Sequence, residues 1–171
     1  VSRAFSVRLR VPANAAVGST LRHRLEVSGD DVDRYPTDNS AEHVTRVVPG
    51  SPARIVLAAG RSTLVACGAE ASTTLISAEV RDARGNLVSD GTTVAWSTTG
   101  GTLSAASSTT AAGVARVTLS AAGEPGLAQL TAQAGTVSER LAIDIVPGPP
   151  ATIAVTALPS ALPPGGSGTN S

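Results

Sequence analysis

Lysine and methionine are absent from this 171-residue chain, and cysteine, tryptophan, tyrosine and phenylalanine occur once each. Each scarcity excludes something. Cys67 has no second cysteine to pair with, so no disulfide closes within the chain. A small buried or half-buried filler is the expected role of that side chain, rather than a reactive thiol. The lack of disulfides is compatible with export, since an unfolded chain crosses a membrane more readily without them. Phe5, Tyr35 and Trp96 are the only aromatics, which leaves little surface for stacking on bases or sugars. A core must therefore be built from Val, Ile, Leu and Ala.

Charge is equally uninformative about partners. All 13 basic residues are Arg, they are scattered, and 13 acidic residues balance them. A nucleic-acid footprint needs clustered positive charge, so nucleic acid is not expected as a partner. No run of about 18 apolar residues occurs, so this stretch is not expected to insert in a membrane. No basic start followed by an apolar segment marks an export signal. The chain has no Met and opens inside a strand-like run, and it reads as a fragment of a longer protein.

What the chain does have is a repeat. Val48-Pro49-Gly50-Ser51-Pro52-Ala53-Arg54-Ile55 returns as Val146-Pro147-Gly148-Pro149-Pro150-Ala151-Thr152-Ile153, an offset of 98 residues. Ala59, Ser62, Leu64 and Gly68 reappear as Ala157, Ser160, Leu162 and Gly166. That period is the size of one β-sandwich domain, and recurrence at fixed spacing marks an array. The expected organisation is the C-terminal part of one module over 1–48, a complete module over 49–147, and the truncated start of the next over 148–171.

Strands and turns account for the rest. Phe5 to Val11 alternates four apolar residues with Ser and Arg, and Leu21 to Val27 alternates likewise, with His23 on the apolar side. Period-2 alternation is the signal of a half-buried strand. In the complete module, Ile55-Val56-Leu57 starts the first strand and Thr63-Leu64-Val65 continues it after Gly60. Further strands are centred on Ala78, Val94, Leu103, Val117, Leu130 and Ile143. Asp82-Ala83-Arg84-Gly85-Asn86 reads as a turn: Gly and Asn tolerate positive φ, and Asp bonds forward to the backbone. Trp96 shares strand parity with Val94, which predicts a core position for an indole that buries about 200 Å². Seven or so strands at this spacing predict an all-β, tandem Ig-like sandwich, one module complete and two partial.

The residues at this point resemble a family. Pro52-Ala53-Arg54-Ile55, Val80-Arg81-Asp82-Ala83-Arg84-Gly85-Asn86-Leu87-Val88, the run Val94 to Leu103 and the run Gly113 to Leu119 follow one another in order. Over residues 49–147 they resemble the bacterial Ig-like domain, group 1, of invasin- and intimin-type surface proteins. Trp96 stands where that family usually has Phe. Residues 1–48 are similar to the last part of an Ig-like repeat of the type found near CARDB cell-adhesion modules, through Gly18-Ser19-Thr20-Leu21, Leu25, Val27 and Asp33 to Ala41. His23 and Asp38 stand where that family often has Asn. Both resemblances imply extracellular display, spacing and adhesion, and neither brings a catalytic residue set.

The candidate chemistries are few. Asp30, Asp31, Asp33 and Asp38, with Asn39 nearby, are the densest acidic group. Calcium takes six to eight oxygens, which makes these four the candidate metal ligands. Their spacing is not that of an EF-hand loop, and a solvated turn accounts for the same residues. Asp144, just before the second linker, is a weaker candidate for an inter-module ion. His23 and His43 lack a zinc-type spacing. With no Gly-x-Ser-x-Gly elbow, they do not point to a hydrolase. Ser104 to Thr110 reads as a polar hairpin edge, or as an O-glycosylated or contact loop.

These observations predict a non-catalytic module of a large repetitive bacterial surface or secreted protein. It would be a stiff spacer contacting its neighbouring Ig-like modules. A distal region would meet a host or neighbouring-cell surface. The rival expectation is an accessory or carbohydrate-binding Ig-like module of a secreted enzyme.

Overall fold

The computed structural model describes residues 8–12, 14–28, 32, 35, 37, 39–66, 72–122, 124–150 and 152–154. Among them no helix is long and apolar enough to cross a membrane. Two strands, β1 (Thr20–Glu26) and β2 (Ser40–Arg46), form an antiparallel pair of their own. Among the described residues nine further strands follow: β3 (Pro52–Ala59), β4 (Thr63–Val65), β5 (Thr73–Asp82), β6 (Thr93–Thr98), β7 (Thr102–Leu103), β8 (Ser107–Thr109), β9 (Val114–Ser120), β10 (Gly126–Ala134) and β11 (Val137–Val146). They make two sheets, in the orders β3-β5-β9-β7 and β4-β11-β10-β6-β8.

Alternation along each strand builds the core. In β5, Ile76, Ala78 and Val80 are fully buried, and in β10 Ala128, Leu130, Ala132 and Ala134 are. Val94 and Trp96 from β6, Val117 and Leu119 from β9, and Ile143 and Ile145 from β11 complete one cluster. Six of its fully buried members are Ala. Alongside these small side chains the indole is the largest side chain of the cluster. Trp96 is 5% exposed and donates from Nε1 to Ser108 Oγ at 2.8 Å. Ser108 belongs to β8, so the Ser/Thr run includes an edge strand whose hydroxyl satisfies the buried indole. A buried Trp N–H needs such a partner.

The first strand differs from the sequence expectation. Thr63-Leu64-Val65 does follow Ile55-Val56-Leu57 in the chain, but it changes sheet. β3 pairs with β5 antiparallel, whereas β4 pairs with β11 in parallel through Leu64 and Ile145. Gly60 closes the first ladder by donating to Leu75 O at 2.9 Å. The switch lets Leu64, 1% exposed, enter the core from the opposite layer. Local alternation is the same in either sheet, so nothing in the order of residues marks the change.

Candidate functional site: a carboxylate that holds the inter-unit linker

The segment between β2 and β3 is short, and two anchors hold it. At its start, Val47 is 7% exposed. Val47 donates to Ser19 O at 2.8 Å, and its own carbonyl accepts from Gly18 N at 2.9 Å. At its end, Pro52 opens edge strand β3 opposite Asp82, the last residue of β5. An edge position tolerates a residue without an N–H. A register shift between Pro52 and Arg54 then turns the strand into its ladder.

Asp82 lies between these anchors and is buried. Its Oδ1 accepts from Arg84 N and Asn86 N, both at 2.9 Å, which closes the turn that the sequence predicts. Gly85 takes a φ of 83° there, so that turn requires glycine. Oδ2 accepts from Asn86 Nδ2 at 3.1 Å and, 32 residues back in the chain, from Gly50 N at 3.0 Å. One carboxylate therefore closes a turn of the sandwich and grips the linker backbone at once. The cleft at this junction is lined by Val11, Val17, Val47, Gly50, Pro52 and Asp82, among others. The forward bonds of Asp82 were legible as a turn signal. The bond to Gly50 was not, because a backbone N–H carries no residue identity.

These donors hold the Asp82 carboxyl well below the usual carboxylate range, at about 2 against an ordinary 3.8. The Gly50 N–H contributes most and the Asn86 side chain next; burial opposes the shift, and the Asn86 and Arg84 N–H groups add to it. A carboxyl whose folded pKa is depressed stabilises the fold above its unfolded pKa. That contribution is present above pH 3.8 and is lost as pH falls through about 2. Asp82→Asn is therefore expected to lower the melting temperature at neutral pH and to flatten its fall between pH 4 and 2. An unchanged acid limb in the variant would remove Asp82 from this role.

The other candidates divide. Asp30, Asp31, Asp33 and Asp38 lie outside the described residues, as does Cys67. Among the described residues no three His, Cys, Asp or Glu side chains gather where they could hold a metal ion. Asp144 sits within β11 opposite Thr63. His23 and His43, which the sequence separates by 20 positions, stand directly opposite each other across β1 and β2.

Comparison with known proteins agrees with the residue-level reading. The family model described as "Invasin, domain 3" matches residues 51–148. Among solved structures, a C-terminal fragment of intimin in complex with the translocated intimin receptor's intimin-binding domain is 24% identical. The match covers 54% of this chain and 33% of that one, with a TM-score of 0.47. The Yersinia pseudotuberculosis adhesin InvE is 27% identical over 56% of this chain and 27% of that one, TM-score 0.47. A glycosyl hydrolase family 2 member from Bacteroides cellulosilyticus is 21% identical over 61% of this chain and 15% of that one, TM-score 0.48. The chain thus spans a third or less of the length of these three structures. No curated protein matches it. Residues 51–148 make up more than half of the 171, and the chain belongs to the invasin domain 3 family, as an invasin/intimin-type Ig-like module.

Proposed function

We propose that the chain is a non-catalytic spacer of a large repetitive bacterial surface or secreted protein, which holds a distal binding region away from its anchor. Residues 49–147 are the complete Ig-like module, 1–48 the end of the preceding one, and 148–171 the start of the next. The observation that carries this reading is the bond from Gly50 N to the Asp82 carboxylate, because it ties the linker to the body of the following module. The repeat extends the device along the array. Gly148 occupies the place of Gly50 in the next linker, where a following module would grip it in turn. Proline restricts φ on either side of that glycine, so two constraints limit bending. Burial of Trp96 supports a spacer over a sugar-binding module, since residues 49–147 contain no other aromatic.

The test is the distribution of distances between spin labels at Ser40→Cys in β2 and Gln133→Cys in β10, on a Cys67→Ser background. A stiff junction gives one narrow distribution. Gly50→Pro, which deletes the N–H donor, is expected to broaden it, and Gly50→Ala to leave it narrow. A Cβ at residue 50 meets nothing closer than Asp82 Cβ at 3.5 Å, an ordinary contact. A broad distribution in the unmodified junction would rule out the stiff spacer.

A further inference from the structure

We propose that His23 and His43 form a two-point binding site for a transition-metal dication that prefers imidazole, namely Cu²⁺, Ni²⁺ or Zn²⁺. They are the only histidines in the chain, and the antiparallel register of β1 and β2 makes them direct cross-strand partners. Val27 N donates to Asn39 O at 2.9 Å and Val47 N to Ser19 O at 2.8 Å. Both bonds lie at even steps from the histidine pair in the same register. The pair therefore occupies a hydrogen-bonded position of the ladder, with Cα atoms about 5.5 Å apart and side chains on one face. Two imidazoles at that separation can converge on one ion.

The surroundings suit a cation held by nitrogen. His23 is half-buried and His43 exposed, so the site is reachable from solvent. Among the described residues neither imidazole has a hydrogen-bond or ion-pair partner. The groove they share is lined by Leu9, Leu25 and Ala41 and, at its margins, by Arg22, Arg24 and Glu42. By strand parity these three charged residues project from the other face of the pair. There Arg22 pairs with Glu42, and Arg24 with Glu26 at 2.8 Å, which neutralises the two adjacent cations. Among the described residues no carboxylate joins the pair to make a group of three ligands. Two imidazole nitrogens suit Cu²⁺, Ni²⁺ and Zn²⁺, with water in the remaining positions, better than oxygen-preferring Ca²⁺ and Mg²⁺. The bound ion would cross-link β1 to β2 and so hold the register of a two-stranded sheet, which is marginally stable by itself.

The probe is Cu²⁺ titrated into the full 171-residue chain on a Cys67→Ser background, which removes the only thiol. Two readouts are used: electron paramagnetic resonance, for the number of coordinated imidazole nitrogens, and NMR broadening of the two imidazole signals. The expected result is saturable 1:1 binding, two nitrogens on one copper, and simultaneous broadening of both rings. His43→Gln, a change at an exposed position, is expected to reduce coordination to one nitrogen. It is also expected to lose saturable binding at the same copper concentration, with the metal-free spectrum otherwise kept. His23→Gln should do the same. Independent titration of the two rings, one-nitrogen coordination in the unsubstituted chain, or undiminished binding in His43→Gln would overturn the proposal.

Discussion

Trp96→Ala is expected to destabilise the module by about 3–5 kcal/mol, the range for truncating a large buried aromatic. The indole is 5% exposed, packs in the core cluster, and faces Ala132 across the ladder. Neighbours of that size cannot swell into the space it leaves, so the cavity persists. Truncation also leaves Ser108 Oγ without the N–H it accepts. Trp96→Phe should cost less, because it keeps much of the volume and removes mainly the Ser108 bond. Urea unfolding followed by far-ultraviolet circular dichroism compares the three chains without depending on the lost fluorophore. A loss below about 1 kcal/mol for Trp96→Ala would place the ring outside the core and reopen a ligand-binding role for it.

The second large effect belongs to a glycine. At Gly101 the backbone takes a φ of 72°, and an added Cβ would meet Ser120 O at 2.5 Å and Leu119 Cδ1 at 3.1 Å. The carbonyl cannot retreat, since Ser120 is paired with Thr73 on one side and Thr102 on the other. Gly101→Ala therefore adds a backbone clash to the about 1–3 kcal/mol that a left-handed conformation costs a non-glycine residue. Two other glycines grade the effect. Gly113 has a φ of 75°, and its Cβ would meet Leu87 Cβ at 2.7 Å; Leu87 lies outside the strands, in an isolated bridge to Arg81, so its backbone can shift more readily than the doubly paired Ser120. Gly85 has a φ of 83° and nothing within 4 Å, so only the backbone term applies. The expected order of destabilisation by alanine is Gly101, then Gly113, then Gly85. Equal losses at Gly101 and Gly85 would mean that the clash is relieved by movement and that φ alone decides.

Much of the fold was legible before any coordinates. The strand centres at Ala78, Val94, Val117, Leu130 and Ile143 follow from period-2 alternation, which depends only on neighbours in the chain. The core position of Trp96 follows from its parity with Val94, and the turn after Asp82 from residue types that favour turns. The family resemblance over residues 49–147 rests on the same local strings, and the matched family model covers nearly the same stretch. Strand β8 was harder to read, because Ser107–Thr109 carries no apolar alternation and its pairing with β6 is what makes it a strand.

By itself, then, the sequence determined the all-β class, the strand faces, the turn chemistry and the 98-residue repeat between Val48 and Val146. Each of these is written in residue type and near-neighbour spacing. Only the tertiary structure decided that β4 leaves its sheet for the other one, that Asp82 reaches Gly50, and that His23 meets His43. These pairings join residues far apart in the chain, and two of them use backbone groups that every non-proline residue carries. Their partners are selected by where the folded chain returns, which no local pattern specifies.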